Sequence, residues 1–476
     1  MTTEPHATEP SSPDLADSAR AAGAQKLPDQ EERLGANYYK LMAASTISNL
    51  GDGIGVIAYP WLASAVTRNP ILIAGVAAAQ RLPWLLFTLP AGVITDRNDR
   101  RRLMVGSNVV RAFLTLGVAA AVMLRQDSLP SPDEAAAGEV VGTDVGLYLV
   151  IVAATMLLGM AEVLYDNSAQ TFMPAIVSQP NLEKANGRLW SVEMVANQFL
   201  GPPLAGVVLL VAFSLPFYID AATFAVSAAL IAAIATTPRV RARPPAGSGS
   251  GDKEVGVGWV GEAKEGFAWL WRHPLLRPLA ISLGLFNLLG NGVFAVLVLF
   301  AQEVLDTSST EFAVLMTGGA VGGVVGGWSA ARLARLFGDG PSLWIAVAVN
   351  GAMTTAAGLV SQWPIVWVTF AVSTVFAVLW NVITVSFRQT VIPDDLLGRV
   401  NSVYRLFGWG MIPIGAIVGG LIVTVSESFG GGRELSLRMP FLVLGLAHVL
   451  LLAYAAPRLT SAKFAAARIE AGAEPT

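Results

Sequence analysis

Long apolar runs dominate the pattern of hydrophobic and polar positions along this chain of 476 residues. A helix needs about 20 mostly apolar residues to cross about 30 Å of hydrocarbon, and twelve such stretches lie between Tyr38 and Leu459. The pattern predicts an all-α membrane protein with twelve transmembrane helices. Their expected limits are 38–64, 71–95, 103–124, 146–174, 188–212, 215–236, 277–304, 312–336, 341–361, 364–391, 400–425 and 437–457.

Composition supports a lipid environment and removes several classes of chemistry. Apolar residues make up 54% of the chain and charged residues only 14%, whereas soluble domains carry about 25% charged residues. The chain has no cysteine, and its three histidines are far apart in the sequence. We therefore expect no disulfide, no metal site, no cofactor and no nucleic-acid partner.

Lys and Arg concentrate in alternate loops, which sets the orientation because positive loops stay in the cytoplasm. The loops on the side of the N-terminus contain Arg97, Arg100, Arg101, Arg102, Lys184, Arg188, Arg239, Arg241, Arg243, Lys253, Lys264, Arg272, Arg277, Arg332 and Arg335. The opposite loops contain only Arg68, Arg125, Arg433 and Arg438. The distribution predicts a multi-pass protein of the cytoplasmic membrane with both termini inside.

The longest interior loop divides the chain into two halves. We expect a disordered cytoplasmic tail over 1–35, a six-helix bundle over 36–236, a cytoplasmic linker over 237–276, a second six-helix bundle over 277–459 and a tail over 460–476. Within the linker, WVGEAKEGFAWLWRHP (residues 259–274) places Trp259, Ala263, Phe267, Leu270 and Trp271 on one helical face. This amphipathic helix could lie at the membrane interface or dock on the bundle.

The two halves resemble each other in sequence. When Asn186 is aligned with Asn401, a glycine-rich stretch follows in both halves, and Arg97 likewise matches Arg332 after the second and eighth stretches. Parallel duplication of a six-helix unit is a transporter architecture with the substrate path between the repeats. We expect alternating access by rocking of one half against the other.

The loop after the second stretch, AGVITDRNDRRRL (residues 91–103), carries the most specific short motif. It resembles the loop between helices 2 and 3 of the major facilitator superfamily, G-x-x-x-D-R-x-G-R-R. The matching residues are Gly92, Asp96, Arg97, Arg100 and Arg101. Asp99 stands where the family has a second glycine. Asp96 at a helix end or against an arginine would lock an inner gate, although a basic loop also simply anchors the topology.

Further stretches resemble the drug:proton antiporter branch of that superfamily, which includes macrolide, tetracycline and enterobactin exporters. They are LGDGIGVIAYPWL, LPWLLFTLPAGVITDRNDRR, PFYIDAATF, LWRHPLLR and VIPDDLLGRV. Gly201, Pro202 and Gly206 match the antiporter motif of helix 5, but Asn197 occupies a glycine position of that motif. A close-packed, kinked helix would need the same residues. The resemblance implies export rather than import.

Five acids well inside the apolar stretches are candidates for charge chemistry: Asp52, Glu162, Asp166, Glu193 and Asp220. Each ionised side chain near the bilayer centre costs about 2.5–3.5 kcal/mol on insertion scales, so such acids are functional candidates by default. All five lie in the first half, which predicts that the charge chemistry belongs to that half.

Depth along the helices predicts partners for these acids. Asp52 and Arg81 both lie about fourteen or fifteen residues from the inner ends of their helices, hence near mid-membrane at about 1.5 Å per residue. We therefore expect Asp52 to pair with Arg81. The alternative for such a pair is a static salt bridge that fixes helix packing.

A second group is expected closer to the inner side. Glu162 and Asp166 share one helical face, and Arg111 and Glu193 lie at a similar depth. Arg111 would keep some of these carboxylates ionised while mutual repulsion leaves another ready to exchange a proton. Asp220, close to the outer end of its stretch, is expected at the membrane interface.

Substrate contacts are expected from aromatic and amide side chains that face the cavity. The candidates are Tyr59, Trp61, Phe286, Asn287, Asn291, Phe294, Trp380 and Asn381. The glycine pairs in LMTGGAVGGVVGGWSAARL (residues 315–333) predict close packing at a moving interface, and His448 is expected to be a packing residue.

These features predict a secondary transporter and not an enzyme, because the chain has no phosphate loop and no catalytic constellation. We expect export of amphiphilic, drug-like small molecules in exchange for protons by a monomer in the lipid bilayer. Export of an endogenous metabolite, such as a siderophore, an antibiotic or a lipid, is the alternative within transport. A membrane sensor or scaffold is the alternative outside it.

Overall fold

The computed structural model describes residues 34–131, 134–135, 137–138, 142–235 and 259–471, and these residues form helices and connecting turns without any strand. The predicted N-terminal tail up to residue 33 and linker residues 236–258 lie outside the described residues. The all-α fold class is confirmed.

Seventeen α-helices follow one another within the described ranges. They are α1 Ala36–Val66, α2 Pro70–Leu86, α3 Thr88–Arg97, α4 Arg100–Leu124, α5 Val145–Ile176, α6 Leu182–Met194, α7 Gly201–Leu209, α8 Leu215–Ala232, α9 Trp259–Arg272, α10 Leu276–Phe294, α11 Leu297–Glu303, α12 Ser309–Phe337, α13 Asp339–Leu359, α14 Trp363–Val391, α15 Asp394–Ser428, α16 Arg433–Ala455 and α17 Ser461–Glu470. A π-helical stretch, Val195–Leu200, joins α6 to α7.

Eleven helical spans in the described part of the chain are long and apolar enough to cross a membrane, and they match eleven of the twelve predicted stretches. The second predicted stretch is divided between α2 and α3 at Phe87. Pro90 has no N–H to donate to the carbonyl of Leu86, four residues earlier, and this explains the division. Pro70–Leu86 by itself is shorter than the other spans.

Helix pairing follows the same scheme in both halves. In the first half α1 packs on α6–α7, α2 on α5 and α4 on α8; in the second half α10 packs on α15, α12 on α14 and α13 on α16. Thus the first span pairs with the fifth, the second with the fourth and the third with the sixth in each half. This is the packing that a duplicated six-helix unit would give.

The two ends of the bundle differ in how the halves meet. We call the end with the loops around Asn98 and Ile392 the termini side, and the end with the loops around Arg68 and Gly432 the distal side. On the distal side Ser309 Oγ donates to the Gly206 carbonyl (3.0 Å). The α2–α15 and α7–α12 contacts also join the halves there.

A set of charged and polar side chains closes the distal side across the two halves. Gln302 Nε2 donates to Ser64 Oγ (2.9 Å), and Arg68 donates to Gln302 Oε1 (2.5 Å). Glu303 lies 3.5 Å from Arg68 Nη1 and 2.7 Å from Arg433 Nε. These residues, Ser64, Arg68, Gln302, Glu303 and Arg433, form the distal lock.

The amphipathic segment of the linker forms α9 and docks on the bundle. Glu265 pairs with Arg399 of α15 (2.7 Å), and the rings of Phe267 and Phe407 stack with centroids 6.4 Å apart. A Cβ added at Gly266 would lie 2.7 Å from the Arg399 carbonyl oxygen, so only glycine allows this approach. The helix is therefore docked on the second half, and its position at the membrane interface stays a prediction.

Helix α17 was not predicted, because its sequence is short and only moderately apolar. Phe464 packs against Phe387 of α14 with centroids 4.6 Å apart, and Arg468 pairs with Asp339 of α13 (2.7 Å). The first part of the expected C-terminal tail is therefore part of the folded second half.

The glycine pairs of α12 pack inside the second half, and movement at this contact stays a prediction. Gly318, Gly322 and Gly326 contact α14, where an added Cβ would meet the backbone of Trp367, Ala371 and Val375, respectively. The second glycine of each pair has more space. The four-residue spacing serves close packing of α12 on α14.

Candidate functional site

Glycines around Asp52 let other helices approach α1 closely. A Cβ added at Gly51 would collide with Thr223 and Asp220 of α8. A Cβ at Gly201 of α7 would lie 2.5 Å from the Gly53 Cα. Because α1 has glycines and no side chains at these contacts, it packs closely between α8 and the π-helical segment before α7.

Depth along the helices predicts that Asp52 pairs with Arg81. In the structure Asp52 pairs instead with Arg111 of α4. Arg111 Nη1 also donates weakly to Ser48 Oγ (3.5 Å), and its guanidinium lies 3.9 Å from the ring centroid of Phe224. Arg111 is only 3% exposed, whereas the Asp52 side chain is 26% exposed. The pair is thus a buried guanidinium with a carboxylate that keeps partial access.

A cavity of about 40 Å³ adjoins this pair. Its lining includes Glu162 of α5 and Asp220 of α8, as well as Asp52 and Arg111. Asp220 is 3% exposed, so the expectation of an interfacial position is wrong: α8 starts at Leu215, but close packing on α1 at Gly51 buries this side chain. We call Asp52, Arg111, Glu162 and Asp220 the polar centre.

The other two membrane acids lie outside that lining. Glu193 accepts a hydrogen bond from Ser45 Oγ of α1. Asp166 is half-buried one helical turn from Glu162, and no described residue forms a hydrogen bond or ion pair with it. The expected grouping with Arg111 therefore holds for Glu162, which shares the small cavity with it, while Arg111 itself pairs with Asp52.

The polar centre contains more carboxyl groups than cationic groups. Three carboxyl groups line the cavity, and Arg111 is the one cationic side chain among the described residues that line it. Ionised groups are costly in this environment unless they are paired. Carboxyl groups that outnumber their cation in this way are chemically able to take up and release a proton.

Two arginines of the basic motif, at the start of α4, bind other helices of the first half. Arg100 Nη1 donates to the Thr171 carbonyl (2.6 Å) and Arg101 Nε to the Ile231 carbonyl (3.2 Å), near the C-terminal ends of α5 and α8. Cations are favourable at those helix ends. Asp99, which replaces a glycine of the family motif, caps α4 by accepting from the Arg102 N–H (2.8 Å).

For the remaining residues of this motif the structure gives less evidence of a role. An added Cβ at Gly92 would meet nothing within 4 Å, so this glycine is not required by a close contact. Arg97 is exposed, and the side chain of Asp96 lies outside the described part of the structure. The gate role of this loop stays a prediction.

The helix-5 motif residues pack on both halves. Gly201 lies against Gly53 of α1, whereas a Cβ added at Gly206 would lie 2.8 Å from Ala313 Cβ of α12. Pro202 is buried at the start of α7, directly after the π-helical stretch. The segment is close-packed, and its glycines are required by contacts within and between the halves.

A second cavity, of about 540 Å³, lies inside the second half between α10, α14 and α15. Of the expected substrate contacts, Phe286, Asn287, Trp380 and Asn381 line it. Trp380 and Phe286 stack with centroids 5.7 Å apart and planes 8° from parallel. We call it the second-half cavity.

A third cavity, of about 230 Å³, lies between the halves below the distal lock. Tyr59, Asn291 and Phe294 line this central cavity, and so does Arg81, whose side chain is exposed there. Trp61, in contrast, packs against Phe312 with centroids 5.5 Å apart and is fully buried, so it contacts protein and not a cavity.

His448 packs as expected. It is 3% exposed and its Nδ1 lies 2.8 Å from the Leu444 carbonyl oxygen of its own helix. Its ring meets Phe286 edge-on with centroids 5.9 Å apart. It thereby supports the aromatic wall of the second-half cavity.

Two arginines of the second-half cavity were not among the predicted site residues. Arg388 lies near the end of α14 and Arg405 lies on α15, and both line the cavity. Their position close to the ends of apolar stretches makes them look like loop charges in the sequence. The absence of nearby acids in those stretches was the available clue.

The fold agrees with comparisons to known proteins. The family model of the Major Facilitator Superfamily matches residues 41–416, which is most of the chain. The chain belongs to this superfamily. It is accordingly a multi-pass membrane transporter for small molecules, and not an enzyme.

Among curated proteins, the multidrug efflux pump Tap of Mycolicibacterium fortuitum is 25% identical over 426 residues, covering 86% of this chain and 94% of that protein. The multidrug efflux pump Tap of Mycobacterium tuberculosis is 23% identical over 424 residues, covering 86% and 92%.

Solved structures agree at the level of fold. The nucleoside transporter NupG superposes with a TM-score of 0.60 at 13% identity, covering 88% of this chain and 98% of that chain. A bacterial homologue of the iron transporter ferroportin in an inward-facing state has a TM-score of 0.63 at 15% identity, covering likewise 88% and 98%.

Proposed function

We propose that this transporter exports amphiphilic, drug-like small molecules in exchange for protons. The observation that carries the proposal is the polar centre, in which Asp52, Glu162 and Asp220 share one buried cavity with Arg111. Similarity to proteins named multidrug efflux pumps supports the substrate class and the direction.

Proton exchange would proceed through the partners of Arg111. A proton that reaches Asp52 neutralises the carboxylate and releases Arg111, which then turns to Glu162 or Asp220 in the same cavity. Because Asp52 belongs to α1 and Asp220 to α8, this change alters the attraction between two helices of the first half. Rocking of the halves would follow from that change in packing.

The distal lock supports alternating access as the transport mode. It joins the halves through Ser64, Arg68, Gln302, Glu303 and Arg433, so this state of the protein is closed on that side. Opening of the distal side would require those bonds to break. In this scheme the arginine-rich loop of Arg97, Arg100 and Arg101 holds the first half together and takes part in closing the termini side.

Orientation and organisation complete the proposal. The positively charged termini side faces the cytoplasm, with both chain ends inside, in the cytoplasmic membrane. The chain divides into two six-helix bundles over 36–236 and 277–459, joined by the linker that contains α9. Both halves and all three cavities come from one chain, so we propose a monomer.

The test is transport in inside-out membrane vesicles with an imposed pH gradient. Three pyrene compounds of matched size serve as probes: pyrenebutyrate, its methyl ester and a pyrenebutyl-trimethylammonium salt. We expect the gradient to drive uptake of at least one compound into the vesicles, and we expect Asp52→Asn to reduce that uptake at least tenfold. The Asp52→Asn variant cannot exchange a proton at this position.

The matched control is Asp127→Asn, because Asp127 is an exposed carboxylate in the turn after α4, away from the cavities. The control should transport like the unchanged protein. Equal gradient-driven uptake by Asp52→Asn, or uptake of no compound by the unchanged protein, would contradict the proposal.

A further inference from the structure

The second-half cavity carries positive charge without a matching acid. Arg388 and Arg405 line it, and the part of its lining that the structure describes contains no Asp or Glu. The first half shows the opposite balance, since the polar centre has three carboxyl groups and one arginine. The two cavities thus have opposite balances of acidic and basic side chains.

Arg388 is held in place but keeps donors available. Its Nε donates to the Thr384 carbonyl (3.0 Å), its Nη1 donates to Asn401 Oδ1 (2.9 Å), and its guanidinium stacks 3.9 Å from the Tyr404 ring centroid. Both fixed bonds go to neutral acceptors. A preorganised guanidinium with neutral partners is a favourable site for a carboxylate, a sulfonate or a phosphate.

Arg405 is the second cation of the cavity. It is exposed, and its guanidinium lies 5.5 Å from the Trp409 ring centroid. Within the described ranges of the chain it forms no hydrogen bond or ion pair. It lies on α15, the helix that also carries Asn401 and Tyr404, and it lines the same cavity as Arg388.

A buried donor and an aromatic wall complete the cavity. Trp380 is 2% exposed, and its indole N–H has no acceptor among the described residues. Its ring is stacked on Phe286, which gives an apolar surface beside the cations. The volume of about 540 Å³ is in the range of pockets that hold drug-sized ligands.

The central cavity shows the same charge sign. Arg81 lines it, and no acid is among the residues that line it in the described part of the chain. A solute that moves from the second-half cavity to the central cavity therefore meets a cation at both places.

From these observations we infer that the second-half cavity is a binding site for amphiphilic anions, with Arg388 and Arg405 on the acidic group and Trp380 and Phe286 on the apolar body. The inference rests on the proposed export function and narrows its substrate class. Anions would bind away from the polar centre and would not occupy its proton site.

Equilibrium binding to the purified full-length protein tests this inference, with pyrenebutyrate and its methyl ester as probes. We expect the anion to bind at least tenfold more tightly than the ester. Arg405→Gln should weaken anion binding about tenfold, leave ester binding unchanged and be largely restored by Arg405→Lys, which keeps the charge. Added salt should weaken binding of the anion only.

Arg458→Gln is the matched control, because Arg458 bonds to the Tyr454 carbonyl and stacks on that ring at the end of α16, outside the cavity. Equal affinity for the two probes, or equal weakening of both by Arg405→Gln, would overturn the inference.

The vesicle assay separates this inference from the proposed function. Gradient-driven transport of the ester or of the trimethylammonium compound, together with no binding of pyrenebutyrate, overturns the anion site and leaves proton-coupled export standing. Tight, Arg405-dependent binding of pyrenebutyrate without transport of any compound supports the anion site and contradicts export.

Discussion

At the scale of the residue, a few glycines determine which charged side chains can be buried next to one another. Gly51 and Gly53 allow α8 and α7 to approach α1 on either side of Asp52. Asp220 is buried because of this approach, and it thereby joins the cavity of Asp52 and Arg111. Small residues at helix contacts commonly permit such close packing in membranes.

Gly201→Ala should destabilise the protein, since the added methyl group would lie 2.5 Å from the Gly53 Cα and backbone cannot move aside cheaply. Overpacking of this kind costs about 1–3 kcal/mol. Thermal unfolding of the purified protein in detergent would show the loss as a lower midpoint temperature.

The control for that substitution is Gly117→Ala on α4, where an added Cβ meets nothing within 4 Å. Its midpoint temperature should be unchanged or slightly higher, because alanine favours a helix interior over glycine by up to about 1 kcal/mol. A midpoint for Gly201→Ala equal to that of the control would contradict the close contact between α7 and α1.

Some residues of the polar centre could be predicted from the sequence, and their pairing could not. Asp52 and Glu162 stand out because a carboxylate within an apolar run is costly and rare. Depth along a helix is readable from residue counts, but rotation about the helix axis is not, so Arg81 appeared to be a better partner for Asp52 than Arg111. Asp220 was misplaced because its burial depends on the packing of α8 against Gly51.

At the scale of the element, two of the membrane spans are interrupted: one by the π-helical stretch before α7 and one by the break between α10 and α11. The π-helical stretch before α7 contacts α12 of the second half, and α11, which follows the break after α10, contacts α1 of the first half. Helix α11 is short, and it presents Gln302 and Glu303 to the distal lock.

Glu303→Gln should favour opening of the distal side, because it removes the carboxylate that lies between Arg68 and Arg433. A shift of about 1 kcal/mol changes the population about fivefold. We expect a maleimide that cannot cross membranes to react about fivefold faster, from the distal side, with an Ala77→Cys reporter in the central cavity.

The corresponding control is Glu434→Gln on the same side of the molecule, since Glu434 pairs only with Arg438 of its own helix among the described residues. This variant should leave the labelling rate unchanged. Equal rates in Glu303→Gln and Glu434→Gln would show that the distal lock does not hold the halves together.

Elements also differ in how well the sequence predicts them. Long apolar runs fix eleven of the spans because their length and composition leave no other stable structure in lipid. Helix α17 and the docking of α9 depend on contacts with the second half, such as Arg468 with Asp339 and Glu265 with Arg399, that no local pattern contains.

At the scale of the whole molecule, two similar halves have acquired different chemistry. The repeated helix pairs build both halves alike, while acids gather in the first half and arginines without an acidic partner face the cavity of the second. The duplication was visible in the sequence through Asn186 and Asn401. The contrast between the cavities required the structure, because Arg388 and Arg405 belong to different helices.

The proposed orientation predicts which side of the membrane each loop faces. Gly187 and Gly432 are exposed on the termini and distal sides, and an added Cβ meets nothing within 4 Å at either position. Since the chain has no cysteine, Gly187→Cys and Gly432→Cys each create a single labelling site.

A maleimide that cannot cross membranes should label intact cells that produce Gly432→Cys and not those that produce Gly187→Cys. Both variants should be labelled after the cells are opened, which controls for reactivity. Labelling of Gly187→Cys in intact cells would reverse the proposed orientation.

Proton movement driven by the substrate tests the central claim most directly. In proteoliposomes without a pH gradient, a gradient of whichever pyrene compound is transported should drive protons in the opposite direction, and a pH-sensitive dye reports this flux. We predict that Asp52→Asn abolishes the proton flux while the compound still crosses down its own gradient. Substrate movement without proton flux in the unchanged protein, or undiminished proton flux in Asp52→Asn, would contradict proton exchange at the polar centre.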